Sequence, residues 1–440
     1  MKHRWAFAAL ALALAVSLGA AAWQYRERAA LQAQMTAARQ RALLQLTGAL
    51  GDLQIRIEKL LIASSPAQTV SLLGEIAQRA QAAQGGIAQL PLRHTAVSSA
   101  SKLAGQMGDY ALSLSGDIAG GAMLTDADIA QWEAMLAACA GLNGEIAGLG
   151  DVLAHEDLIA PEGQMWADAG DDAPRLETLS GEESGIEYPT LIYDGPFSDG
   201  RHDAAPKGVT GEQITLEEAM ERARAFVGED RVLAVRPAAD SGGAIPAYGL
   251  AVDTREDGTL DVQIAKTGGA VLWMMPETAA YAQGLRVDEC ALKAYEFLSS
   301  RGYGHMEPNY WQLYDGLAVV NFAAVQDGVL LYPDLVKVQV RADTGAIVGL
   351  ESNNYLMNHT QRDLTAPALS EEEARMRVSA RLQVERTRLC VIPLQQEERL
   401  CYEFTGTFGD GRYLVYIDAN TGEELEILKQ IDAQSAKLTA

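Results

Sequence analysis

The sequence predicts an α+β multidomain protein: an N-terminal transmembrane helix, an all-α helical bundle, then three small units, each a helix packed on an antiparallel sheet. Three observations predict it. The chain of 440 residues opens on a long apolar run, and an Ala-, Leu- and Gln-rich stretch with a helical apolar period follows. One hairpin string is then written three times: "VQIAKTGGAVLWM" from Val262, "VQVRADTGAIVGL" from Val338 and "VYIDANTGEELEI" from Val415. Copies that begin 76 and 77 residues apart have the spacing of repeated small domains rather than of chance.

The apolar run, "WAFAALALALAVSLGAAAW", reaches from Trp5 to Trp23 with Ser17 as its one polar side chain. Its length makes about 28 Å of helix, close to the thickness of bilayer hydrocarbon. Trp5 and Trp23 suit the two membrane interfaces. Lys2, His3 and Arg4 should stay cytoplasmic, which puts the bulk of the chain on the other side. A cleaved signal peptide is the rival reading, because "LGAAAW" offers small residues to a signal peptidase. Length and flanks favour retention, so residues 1–25 read as a signal anchor. Both readings export the rest.

Residues 26–155 read as a helical domain. Leu43, Leu46, Leu50, Leu53, Ile57 and Leu60 follow a 3-4-3-4-3 spacing, which is an apolar seam. "SSP" at Ser64–Pro66 ends that helix and lets another start. A second helix fits Thr69 to Ala83, a third Thr95 to Ile118. A fourth begins where the Thr125 hydroxyl caps the amide of Asp128. Packing within the chain is favoured over a coiled-coil partner.

Between Asp151 and Asp199 stand thirteen acidic residues against a single Arg175, a composition that cannot bury enough apolar surface to order itself. Residues 156–187 therefore read as an acidic, protease-sensitive linker. Asp168, Asp171 and Asp172 lack the alternating ligands and closing Glu of a calcium loop. A docking segment, 188–208, follows. In it Asp194-Gly195-Pro196 signals a turn, with Tyr193 and Phe197 to anchor it on the first repeat or to meet a partner.

The repeats cover 209–277, 284–356 and 364–430. Each opens with a helical segment, from Thr215, Asp288 and Ser370 as N-caps, and Gly228 and Gly302 suit the stops. Each closes with the hairpin. Asn420-Thr421-Gly422 and Asp343-Thr344-Gly345 supply its turn, and Thr267-Gly268 makes one a residue shorter. Strict alternation points Val415, Ile417, Leu425 and Ile427 inward, as it does Val338, Val340, Val348 and Leu350. Val262, Ile264, Val271 and Trp273 are their counterparts in the first copy.

Function is bounded mostly by exclusion. A net charge of −24 and a pI near 4.6 argue against nucleic acid. The four cysteines form no CxxC and the six histidines no ligand pattern. Cys390 and Cys401 flank "VIPLQQEERL", and a hairpin turning at Gln395-Gln396 sets them opposite each other. That geometry permits a disulfide and equally two buried free thiols. No HExxH, GxSxG or phosphate-binding loop occurs, and the Glu pairs at helix starts are explained by the helix dipole. No catalytic residue, metal ligand or cofactor site is assigned. Tyr303, Tyr310, Trp311 and Tyr314 read as core before contact surface.

A helix, strands and a closing "DxxTG" hairpin in units of this length resemble the PepSY domain. "YPTLIYDGPFSDG", Tyr188 to Gly200, resembles the motif joining the halves of the YpeB germination protein family, and "TDADIAQWEAML", Thr125 to Leu136, is similar to that family's helical region. The resemblance implies a non-enzymatic protein at the inner spore membrane of endospore-formers. Such a protein stabilises, localises or regulates a SleB-like cortex-lytic hydrolase and meets peptidoglycan only indirectly. The alternative is an anchored extracytoplasmic sensor or hydrolase inhibitor unrelated to germination. Whether the chain forms homo-oligomers stays open.

Overall fold

A computed structural model describes residues 23–28, 41–87, 94–155, 205–277, 281–394, 397–433 and 436–439. Trp5, the linker 156–187, and Tyr193, Asp194, Gly195, Pro196 and Phe197 lie outside them. So does the membrane run, except for Trp23, which is helical and exposed. Among the described residues no helix is long and apolar enough to cross a membrane. The chain divides into two compact units: the helices up to Leu61 and from Thr69 on, and Ile62–Gln68 with the repeats.

The first unit is built from α1 (41–62), α2 (Pro66–Ile87), α3 (His94–Ala119) and α4 (Asp126–His155). Leu46, Leu50, Leu53, Ile57 and Leu60 of the predicted seam are buried, while Leu43 at its start is half-buried. Ion pairs Arg56–Glu75 and Asp52–Arg79 run α1 against α2 in opposite directions. Asn143 of α4 donates to Gln54 of α1 at 2.9 Å. Thr125 does cap α4, its hydroxyl accepting from the Asp128 amide while Asp128 accepts from Tyr110 at 2.6 Å. Burial, and then that hydrogen bond, push the Tyr110 phenol up to about 12.

Among the described residues the second unit carries thirteen strands in a single sheet, not three separate ones. The first repeat supplies α5 (Leu216–Val227), then β1 (Val232–Pro237), β2 (Ala247–Thr254), β3 (Thr259–Ala265) and β4 (Val271–Pro276). The second supplies α6 (Val287–Ser300), β5 (Met306–Tyr314), β6 (Leu317–Gln326), β7 (Val329–Arg341), β8 (Ile347–Glu351) and a short α7 (Asn353–Asn358). The third has α8 (Glu371–Arg375), β9 (Gln383–Leu394), β10 (Glu397–Phe408), β11 (Gly411–Asp418), β12 (Glu424–Ala433) and β13 (Ala436–Thr439). Consecutive strands within a repeat pair antiparallel. Between repeats, β4 pairs with β8, β13 with β5, and β7 with β9 in parallel.

This fusion corrects the expectation of three self-contained units. A repeat with four strands and one helix leaves bare sheet edges, and joining edge to edge satisfies their backbone groups. The core follows. Val262, Ile264 and Met274 of the first repeat share one buried cluster with Phe322, Val338 and Leu350 of the second. The third repeat has its own, around Phe404, Val415, Ile417 and Ile427.

Two helix expectations also change. Asp288 is not the N-cap of α6: the cap is Arg286, whose amide donates to Glu289 while its side chain pairs with Asp288. The third helix stops at Arg375 instead of running to Leu382. Three-residue turns replace it, with Arg377, Val378 and Leu382 amides donating to Ala374, Arg375 and Ser379. Val378, which is β-branched, and Ser379, whose hydroxyl competes for backbone hydrogen bonds, weaken helix there.

Candidate functional site

The recurrent Thr-Gly string earns its repetition from what passes over it. In each repeat the segment leading to the helix hydrogen-bonds to the turn of that repeat's own hairpin. Gly268 donates to Glu212 at 2.8 Å, Leu285 to Ala342 at 2.6 Å, and Leu369 to Ala419 at 3.0 Å. The glycines stand at positive φ: Gly268 at 72°, Gly345 at 76° and Gly422 at 74°. At Gly268 the crossing is tightest, because a Cβ there would collide with the Thr210 carbonyl. The first turn is not a residue shorter, as the sequence suggests: Ala265, Arg341 and Asp418 each donate to the carbonyl five residues on, so all three turns have one length. Asp343 and Asn420 brace the second and third. Asp343 takes both ends of the Arg341 guanidinium, and Asn420 Oδ1 accepts from the Ala368 amide. Thr344 and Thr421 hydroxyls accept from the amides two residues on. Thr267 makes an isolated bridge with Gln213.

Strict alternation fails on the return strands. Each hairpin has a bulge just before its turn, at Gln263/Ile264, Gln339/Val340 and Tyr416/Ile417. The extra residue shifts the far strand by one, so the cross-strand partners of Ile264, Val340 and Ile417 are Val271, Ile347 and Glu424. Trp273 and Leu425, expected in the helix-side cores, therefore face the other side of the sheet. There Trp273 borders a groove of about 610 Å³ floored by Leu272, Ile245 and Met357 and rimmed by Gln263, Glu351 and Asn353.

Three arginine–carboxylate clusters tie the sheet together, and sequence reading finds none of them. Asp257 accepts from Arg231 of the first repeat and Arg341 of the second, both at 2.8 Å. Fully buried Asp334 takes both Arg362 amino groups, at 2.9 and 2.8 Å, and lies 2.7 Å from His359 Nδ1. Arg362 also grips Glu398. Buried Glu403 pairs with Arg388 at 2.7 Å and accepts from the Tyr332 hydroxyl. Burial and that carboxylate push the Tyr332 phenol far up, so it stays a neutral donor. Their partners are distant in sequence, which hides them from any local pattern.

His359 stacks on Tyr355 at 4.2 Å, and its carboxylate partner is already saturated by arginine. Cys390 and Cys401 stand directly opposite each other on β9 and β10, both buried and free. Burial raises both thiols. Tyr310 is buried, Trp311 and Tyr303 pack on the core, and Tyr314 is exposed. The arrangement is that of a clamped scaffold with a shaped surface.

The family described as "YpeB N-terminal" matches residues 27–159, "YpeB sporulation, PepSY1 and PepSY2 domains" matches 176–365, and "Peptidase propeptide and YPEB domain" matches 368–428. Proteins named Sporulation protein YpeB are similar to this chain. That of Halalkalibacterium halodurans is 34% identical over 224 residues, 50% of each chain. That of Oceanobacillus iheyensis is 31% identical over 241 residues, 54% of this chain and 53% of the other. The chain thus spans about half the length of these two. The Bacillus subtilis protein is 24% identical over 437 residues, 95% of this chain and 96% of the other. A solved structure, the Bacillus megaterium YpeB C-terminal domain, is 26% identical, covers 50% of this chain and all of that one, and gives a TM-score of 0.47.

Proposed function

This chain belongs to the YpeB family of sporulation proteins, and from that membership we propose that it is a non-enzymatic, membrane-anchored accessory of a SleB-like cortex-lytic hydrolase. It would sit at the inner spore membrane with the described units outside the cytoplasm, holding or localising the hydrolase until germination. The observation that carries the reading is the run of three consecutive family matches over most of the chain. The clamped sheet supports it, because a scaffold needs a rigid surface. An acidic surface, net −24, favours a basic partner.

Deleting the gene should leave spores deficient in the hydrolase, with germination stalled before cortex breakdown. Purified protein should release no glycan from cortex peptidoglycan. Normal hydrolase levels in the deletion strain would reject the accessory role, and glycan cleavage by the pure chain would replace it with an enzyme.

A second reading takes its support from the description of the third match, which includes peptidase propeptides. Under it the repeats restrain the hydrolase instead of preserving it. Adding the purified chain to active hydrolase separates the two: inhibition supports restraint, and unchanged or prolonged activity supports stabilisation.

A further inference from the structure

The third repeat departs from the other two at two places that meet. In α5 and α6 the residues four, eight and twelve beyond the cap, Ala219, Ala223, Val227 and Cys290, Ala294, Leu298, all lie buried against the sheet. In α8 only the first, Ala374, is carried by helix, because the helix ends after five residues; the other two, Val378 and Leu382, reach the same core from the turns that follow. The third core is completed from elsewhere in the sequence: Ile62, fully buried, joins its cluster, and Ala63 packs beside it.

The second departure is Glu424. Its cross-strand counterparts Val271 and Ile347 are buried core residues, yet this position in the third hairpin is a carboxylate that is only 3% exposed. A lone buried carboxylate is costly unless donors surround it. Here the donors come from the residues that follow Ile62. The Ser64 amide donates to both Glu424 oxygens at 3.1 Å, and the Ser64 hydroxyl donates to Oε2. Ser65 in turn accepts from the Gln68 amide and so caps the helix that begins at Pro66.

We propose that the third repeat is a peptide-recognition site whose resident ligand is the chain's own Ile62-Ala63-Ser64-Ser65. The apolar core of the third repeat takes the isoleucine, and Glu424 reads the amide and hydroxyl two residues on. The chemical class of ligand is a helix start, with a branched apolar side chain two residues ahead of a serine. The first two repeats cannot bind in this way, because Val271 and Ile347 offer no acceptor where Glu424 stands. This inference does not depend on the hydrolase reading.

The test uses the full chain and a labelled peptide of residues 57–72. Glu424→Leu installs an apolar residue like those of the other repeats, so the fold should survive it. By hydrogen exchange the Ser64 amide should be protected in the wild-type chain. It should lose at least tenfold of that protection in Glu424→Leu, with α5 and α6 amides unchanged. Ile62→Asp should vacate the site and bind the peptide, whereas the wild type should not, and adding Glu424→Leu should abolish that binding. If Ile62→Asp unfolds the third repeat, Ile62→Ala serves in its place. Unchanged Ser64 protection in Glu424→Leu, or no peptide binding by a folded, vacated chain, would overturn the proposal.

Discussion

At the scale of single residues, two carboxylates on equivalent hairpins answer opposite demands. Asp343 is gripped by Arg341, whose hydrogen bonds hold its carboxyl below the usual range. Glu424 is pushed up by burial, with the Ser64 hydrogen bonds opposing. The linkage signs follow. Asp343 contributes stability above the ordinary aspartate value of about 3.9 and loses it as pH falls through its lower folded value. Glu424 contributes fully below about 4.3, and that contribution is lost as pH rises through its higher folded value. Urea unfolding at stepped pH should therefore show the wild type losing its advantage over Asp343→Asn toward acid. Its advantage over Glu424→Gln should instead shrink as pH rises from about 4.3. Parallel pH curves for either variant and the wild type would show that carboxyl to be indifferent to folding.

At the scale of elements, the hairpin turn is a crossing point, and its glycine is required on two grounds. Gly345 has φ of 76°, and a Cβ there would press on the Lys293 stem and sit 3.1 Å from Leu285. Gly345→Val should cost roughly 1–3 kcal/mol, the usual range for a strained non-glycine backbone. A thermal melt matching the wild type would refute this. The β9–β10 hairpin makes a different prediction. Its cysteines face each other, yet both are buried and their thiols raised, so little thiolate exists to react. Native protein should resist alkylation at both, and denatured protein should be modified at both without reductant. Full protection that reductant relieves would instead reveal a disulfide.

At the scale of the whole second unit, a shared sheet implies shared stability. Arg362 joins the connection after α7 to Asp334 of β7 and Glu398 of β10, and its side chain is 8% exposed. Removing one partner from a buried pair leaves the other uncompensated, so Arg362→Met should cost about 3–5 kcal/mol. The loss should appear as one transition across all three repeats, since β7 pairs with β9 and β13 with β5. Exchange protection lost in the third repeat alone would show that the repeats unfold separately.

The sequence by itself determined whatever depends on neighbours along the chain. The helical seam, the Thr125, Thr215 and Ser370 caps, the glycine turns and the facing of Cys390 and Cys401 all follow from local period and turn chemistry. The tertiary structure alone decided what depends on distant partners. Edge pairing merged three units into one sheet, because an unpaired edge leaves backbone groups unsatisfied. A one-residue bulge sent Trp273 and Leu425 to the far face, since a side-chain period of two turns any insertion into a reversal. Glu424 could be flagged by comparing the three copies, for it stands where the others have Val271 and Ile347. That Ser64, 360 residues away, satisfies it could not, because nothing local encodes the partner of a buried charge.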